Sequence, residues 1–411
     1  METLDVLIIG AGAAGLAASR QLSQVGCTVA VLEARSRIGG RAWTEQVEGY
    51  AIDRGAQWLH ASQVNPLTSF AKYAGVALST DSHEAAVIYD EGQPSPEAVS
   101  AYRRASRKLG RRTMWGAMFG RRTLADVAGK DFWTHTTARA IAELEMGAAL
   151  EGVSLNDILR TERGDDLAVA GGLGTLVAAF GEGAPVRLTH AVESVTWSDR
   201  SRIVVRGPFG AIAARRLLVT PPTGVLQSGA IVFDPPLPNW KSEAIQALPM
   251  GLLTKFSFLL PRPVELASFA IDLEATRSGH LHLAHLDGSK TAMTIITGGP
   301  TARGLMARSR ETAIAFGRSL VAALVDEETA RKARATVSDW DGDPYARGAY
   351  AVVNPRNSGA RRLYDRSIDD RIFFAGEASD SRQPGTVGGA VLAGGRAAQQ
   401  IANSLKADIN L

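Results

Sequence analysis

The feature that most limits what this chain can fold into lies at its start, where a strand, a glycine turn and a helix follow one another. Residues 3–9 (TLDVLII) read as a buried parallel strand. Gly10, Gly12 and Gly15 follow in GxGxxG spacing, then a helical run from Leu16 to Val25. A second strand, Thr28–Leu32, ends at Glu33. The first glycine allows a tight turn, the second lets backbone N–H groups approach a pyrophosphate, and the third lets the helix close on the strand. The helix N-terminus favours the anion. Glu33, about 20 residues on, is placed to accept hydrogen bonds from ribose hydroxyls. The alternative is a glycine cluster that only packs a helix against a strand.

The residues after Glu33 bear on which dinucleotide is bound. Ala34, Arg35, Gly39, Gly40 and Arg41 bring two glycines and two guanidinium groups near the expected phosphates. Arg35 and Arg41 can neutralise a pyrophosphate by charge-assisted bonds; a solvated basic loop is the other reading. Two glycines followed by arginine resemble the second phosphate-contacting segment of FAD enzymes with the glutathione-reductase-like fold. The expected class is therefore α/β, a Rossmann-type FAD-binding domain.

At 411 residues the chain has room for two or three domains. Apolar residues at 45% and charged residues at 21% are enough for a packed core and exclude wholesale disorder. Lys and Arg number 45 against 42 Asp and Glu, too even for a dedicated nucleic-acid binder. One cysteine, Cys27, rules out an intrachain disulfide framework and a cysteine-based metal centre, and is compatible with a cytoplasmic setting. No apolar run reaches the roughly 18–20 residues that cross a bilayer, so no membrane span is expected. Near the other end, Arg371–Phe374 reads as a strand that leads through a glycine turn into a helix over Gly388–Leu405. The two ends should then share one domain, with the middle inserted. The expected division is 1–75, 170–242 and 343–411 for cofactor binding, and 76–169 and 243–342 for substrate binding.

Further motifs resemble the flavin-dependent amine oxidases, the group of monoamine oxidases, polyamine oxidases and flavin histone demethylases. Gly55, Ala56, Gln57 and Trp58 are similar to the segment lining the flavin ring in polyamine oxidases. Phe374-Ala375-Gly376-Glu377 resembles the family's FAGE motif, whose acid lies near the ribityl and phosphate part of FAD. Pro384, Gly385, Thr386, Val387 and Ala390 belong to a run like the one that covers the flavin pyrimidine edge. Trp340 to Tyr350 is similar to the W–P–GxY segment. The resemblance spans nearly the whole chain, in the right order, and implies an α+β substrate domain of the amine oxidase type.

The resemblance assigns roles residue by residue. Lys255 sits in an apolar strand, where an unpaired ammonium is costly; the family places a lysine here to hold a water near flavin N5, whereas a snorkelling lysine is the plain reading. Tyr350 matches one half of an aromatic sandwich beside the reacting C–N bond, and Thr386 stands at the other half. Ala349 occupies the position of the cysteine that attaches FAD in monoamine oxidases, so FAD is expected to be non-covalent. Trp340 should pack near the flavin, and Val192 should contribute backbone contacts to the adenine. His60 and Glu145 are candidates for the substrate pocket. The expected activity is oxidation of an amine by hydride transfer to the flavin, giving an imine that hydrolyses to a carbonyl product, with O2 reduced to H2O2. An L-amino acid oxidase and an amine dehydrogenase with another acceptor are the alternatives. A histone demethylase is not expected, since 411 residues leave no room for a coiled-coil tower or a DNA-binding domain.

Two other features draw attention. Residues 103–122 carry eight cations and no acid, open to two readings, a patch for nucleic acid or an acidic partner and a solvated helix face; a basic rim there disfavours a strongly polycationic substrate. His280, His282 and His285 have partial metal-ligand spacing but only Asp287 as a nearby acid, so no metal is expected. The expected partners are a small amine and O2, with no nucleic acid and with the monomer or a homodimer both open.

Overall fold

Alternation along Thr3–Ile9 sends Val6 and Ile8 to one face and Leu7 and Ile9 to the other, and all four are buried. A strand apolar on both faces needs cover on both, as in a parallel sheet between packed layers. In the computed structural model, which describes residues 3–80 and 86–409, this strand is third in a sheet that runs Val186–Arg187, Val29–Leu32, Thr3–Ile9, Gly210–Val219, Ile203–Gly207, Ser194–Thr196, Val232–Asp234. Thr3–Ile9 pairs in parallel with both neighbours. Gly210–Val219 is shared on its other side. Its first half pairs antiparallel with Ile203–Gly207, and Leu217 to Val219 pair in parallel with Ile372–Phe374.

The helices nearest the two ends, Ala13–Gln24 and Val387–Ile409, cross on one face of this sheet. Leu16, Ala18, Ala397 and Ile401 belong to the core they share. The crossing is close, because a Cβ on Gly394 would run into the Ala14 carbonyl oxygen. Strands from both ends of the chain thus enter one sheet. The stretch 186–190 is a strand for only two residues. Thr189 turns with φ 58°, and the His190 N–H donates to the Glu33 carbonyl.

A second, seven-stranded sheet runs Arg334–Val337, Leu253–Leu259, Ala292–Gly298, Leu283–Leu286, Phe269–Asp272, Val87–Asp90, Gln93–Pro94. Phe256 and Phe258 face a core with Leu320 and Val321 of the helix Arg310–Leu324. The alternate residues Leu253 and Lys255 face a cleft. The stretch 94–165 is largely helical: Pro96–Met118, Phe132–Arg139, a π-helical segment Ala140–Glu145 and Leu155–Arg160. Ser95, Asp131 and Ser154 cap three of these helices by accepting backbone N–H bonds.

Candidate active site

A cleft of about 1130 Å³ is lined from both sheets and from the helical stretch. One end of it is the glycine turn. Gly10 has φ +99°, open to glycine but strained for other residues, and a Cβ on Gly15 would run into the Gly10 carbonyl oxygen. Gly12 caps Ala13–Gln24 in an extended conformation, and a Cβ there would meet nothing within 4 Å. The first N–H groups of a 12-residue helix therefore open onto the cleft. Glu33 is buried beside the turn. One carboxylate oxygen accepts from the Ala11 N–H at 2.8 Å and the other from the Arg35 N–H at 2.9 Å. Each oxygen keeps a second acceptor site for a hydroxyl. Ala14, Ala34, Gly40, Gly55, Ala56, Val192, Gly376 and Ala390 line the same cleft.

Elsewhere on its wall stands Lys255, which is 3% exposed. Its ammonium donates to Gln57 Oε1 at 2.6 Å and to the Asp53 carbonyl at 3.3 Å, and lies 5.4 Å from the Trp58 ring centroid. Burial pulls its pKa down to about 8, against the opposing pull of the Asp53 carboxylate. The Gln57 amide also meets His285 Nδ1 at 3.0 Å, and the His285 ring is edge-on to Trp58.

The strand Tyr350–Ala351 pairs with Met250–Gly251, just ahead of the Lys255 strand, and so brings Tyr350 to the cleft. Its ring lies against the turn at Gly385, where an added Cβ would sit 3.5 Å away. Burial, and then the Glu145 and Glu377 charges, hold its phenol well above the usual range. Glu145 ends the π-helical segment and lines the cleft. With burial, it also lifts Tyr102 to about 12. Thr386 and Val387 line the cleft, but the Thr386 hydroxyl donates to the Gln383 carbonyl and accepts from the Gly389 N–H, as a helix cap. Trp340 donates from its indole to the Arg54 carbonyl at 3.0 Å. His60 is half-exposed at the rim and pairs with Asp166 at 3.0 Å.

The family model described as flavin containing amine oxidoreductase matches residues 13–111 and 107–402. The chain belongs to that family. It is 27% identical to the mouse lysine-specific histone demethylase 1B over 97% of its own length and 53% of that protein's. It is 28% identical to the probable polyamine oxidase 4 of Arabidopsis thaliana, over 96% of this chain and 86% of that one. The chain thus spans about half the length of the demethylases it matches. A solved double mutant of putrescine oxidase shares the fold, with TM-score 0.83 at 20% identity, covering 98% of this chain and 99% of that one.

FAD is the cofactor of this family, and the residues present fit it. The open space at Gly12 would take the pyrophosphate, Glu33 the ribose and the Val192 strand the adenine. Arg35 and Arg41 line the cleft. Arg35 grips Asp343 with two bonds of 2.7 Å, and Arg41 pairs with Glu377 at 2.9 Å while donating to the Ala349 carbonyl. Each guanidinium thus has a carboxylate partner in the protein, which fixes it at the cleft wall. Glu377 also accepts from the Ala351 N–H, so it ties the glycine segment to the Tyr350 strand.

Sequence reasoning missed several residues of the site. His285 was weighed only as a metal ligand, although strand alternation puts it on one face with Leu283. Tyr102 gave no signal beyond its place on an amphipathic helix. The buried pair Asp157–Arg361, at 2.9 Å, joins the helical stretch to the segment behind Tyr350, with Arg361 also donating to the Ala351 and Ala378 carbonyls. His282 is buried and satisfied, accepting from the Asp272 N–H and meeting the His280 carbonyl. Among the described residues no group of three His, Cys, Asp or Glu side chains is placed to hold a metal.

Proposed function

We propose that this protein oxidises the C–N bond of a small-molecule amine with non-covalent FAD. The imine then hydrolyses to a carbonyl compound and ammonia or a smaller amine, and O2 is reduced to H2O2. One observation carries this reading: a dinucleotide cradle and a buried lysine share a single cleft with a neutral tyrosine. FAD, when bound, supplies the hydride acceptor. The chain's residues bind, orient and exclude water. Tyr350 stays uncharged across physiological pH and offers its ring face to the amine. Ile88, Ile271, Leu273 and Ile296 make apolar wall, which keeps bulk water from the reacting carbon. Glu145 supplies the negative field that draws an ammonium inward. Lys255, with its pKa near 8, holds or releases a proton close to neutrality and would position a water.

Non-covalent attachment is supported by Ala349 before Tyr350 and by Cys27 lying outside the cleft lining. The two buried arginines of the wall, Arg54 and Arg361, are already held by Glu45 and Asp157. Neither of these two is then free to clamp a carboxylate. We further propose that segments 1–75, 170–242 and 343–411 form the cofactor unit and that the setting is cytoplasmic, in keeping with one cysteine. The test is an anaerobic flavin-bleaching screen over primary amines, polyamines and amino acids, followed by admission of O2. Bleaching by amines and stoichiometric peroxide are expected. Bleaching only by amino acids, or no peroxide on reoxidation, would replace this reading with one of the two alternatives.

A further inference from the structure

The helix Pro96–Met118 buries Ala98, Ala105, Leu109, Thr113 and Gly116. Its opposite face follows a ridge of every fourth residue. Arg103, Arg107 and Arg111 begin that ridge, and Trp115 and Phe119 end it. Met114, Trp115, Met118 and Phe119 are 53%, 54%, 68% and 73% exposed, and the Trp115 and Phe119 rings stack at 5.9 Å. Single exposed apolar residues are ordinary, but four together at one helix end are not. Around them all eight cations of residues 103–122 are exposed. Among the described residues only Lys108 of these eight forms an ion pair, with Asp131. The rest of the chain holds 37 cations against 42 acids, so the positive charge is concentrated here.

We propose that this face docks peripherally on an anionic lipid bilayer. Met114, Trp115, Met118 and Phe119 enter the headgroup region, and Arg111, Arg112, Arg121 and Arg122 meet the lipid phosphates. Aromatic rings with a polar edge and an apolar body suit that depth, and each arginine near an anionic surface adds attraction. A nucleic acid would use the cations but leave the four apolar side chains in water. A second copy of the chain would set eight cations against the same eight. No described helix is long and apolar enough to cross a membrane, so the contact is with one leaflet. Tyr102, Arg103, Ser106 and Arg107 of the same helix line the cleft. At 1.5 Å rise per residue, docking holds that wall about 12 to 20 Å from the inserted Trp115, close to amines dissolved in the membrane.

The experiment is flotation of the full-length, FAD-loaded chain with vesicles of phosphatidylcholine, with and without phosphatidylglycerol, at low and high salt. Two variants accompany it, Trp115→Ser/Phe119→Ser and Arg111→Gln/Arg112→Gln/Arg121→Gln/Arg122→Gln. Partition onto anionic vesicles alone is expected, weakening with salt and falling at least about tenfold in each variant, with flavin content and thermal midpoint unchanged. Three results would overturn the proposal. One is no flotation at low salt. Another is full binding by the Trp115/Phe119 variant, which would leave a general polyanion contact. The third is a concentration-dependent dimer that this variant abolishes, which would make the patch a contact between copies.

Discussion

Lys255 shows what one buried charge costs and what it gains. The strand Leu253–Leu259 gives it no acidic neighbour along the chain, so its ammonium is solvated by two oxygens from 198 and 202 residues away, Gln57 Oε1 and the Asp53 carbonyl. Replacing it with methionine keeps the volume and removes the proton-carrying group. Lys255→Met should retain FAD but slow either substrate oxidation or reoxidation by at least about tenfold, the size of a lost positioning or proton-transfer group. Stopped-flow measurement of the two half-reactions checks this, and unchanged rates in both would remove Lys255 from the chemistry. At this scale a sequence shows which side chains carry charge but not whom they meet. Lys255 and Glu33 were legible because an apolar strand and a glycine turn frame them. The ion-pair partner of Arg35 was not, because Asp343 lies 308 residues away and nothing local signals it.

Among the elements, the strand–turn–helix unit was the most legible, because glycine conformation and helix capping are local physics. The helix begins at Ala13, three residues before the apolar run suggested, since it starts directly from the turn. Gly15 sets that approach. Gly15→Ala would force its methyl into the Gly10 carbonyl and push the helix N-terminus off the phosphate position, an overpacking of roughly 1–3 kcal/mol. The variant should purify with flavin occupancy lowered about tenfold, and added FAD should give a smaller thermal shift than in the parent; bleached absorbance and calorimetry measure both. The π-helical segment Ala140–Glu145 was not legible. There the Met146 N–H reaches back five residues to the Ile141 carbonyl, a shift of register imposed by packing. A period of 3.6 residues cannot foretell which way Glu145 then points.

For the molecule as a whole, two buried lysines give stability an unusual dependence on pH. Burial lowers Lys255 to about 8 and Lys241 to about 7, the latter with its ammonium donating to the Leu363, Tyr364 and Arg366 carbonyls. Unfolded, both return to 10.5. Between about pH 7 and 10 the unfolded chain therefore binds more protons, and stability should rise with pH by up to about 1.4 kcal/mol per unit for each group. Tyr350 and Tyr364, raised by burial, reverse the slope above their unfolded value of 10.0. Urea midpoints at several pH values should climb from 7 to 9.5, and less steeply in Lys255→Met; a flat or falling curve in the parent would show that neither lysine is depressed.

The strand Gly210–Val219 is flanked by partners from the start, the middle and the last tenth of the chain. During synthesis its edge stays bare until Ile372–Phe374 leaves the ribosome, and the final helix follows later still. A nascent polypeptide therefore carries its phosphate turn, braced by Glu33, long before the helix Val387–Ile409 arrives to pack over it. Loading with flavin becomes an act of the finished chain, and a transcript cut short yields a protein that never turns yellow.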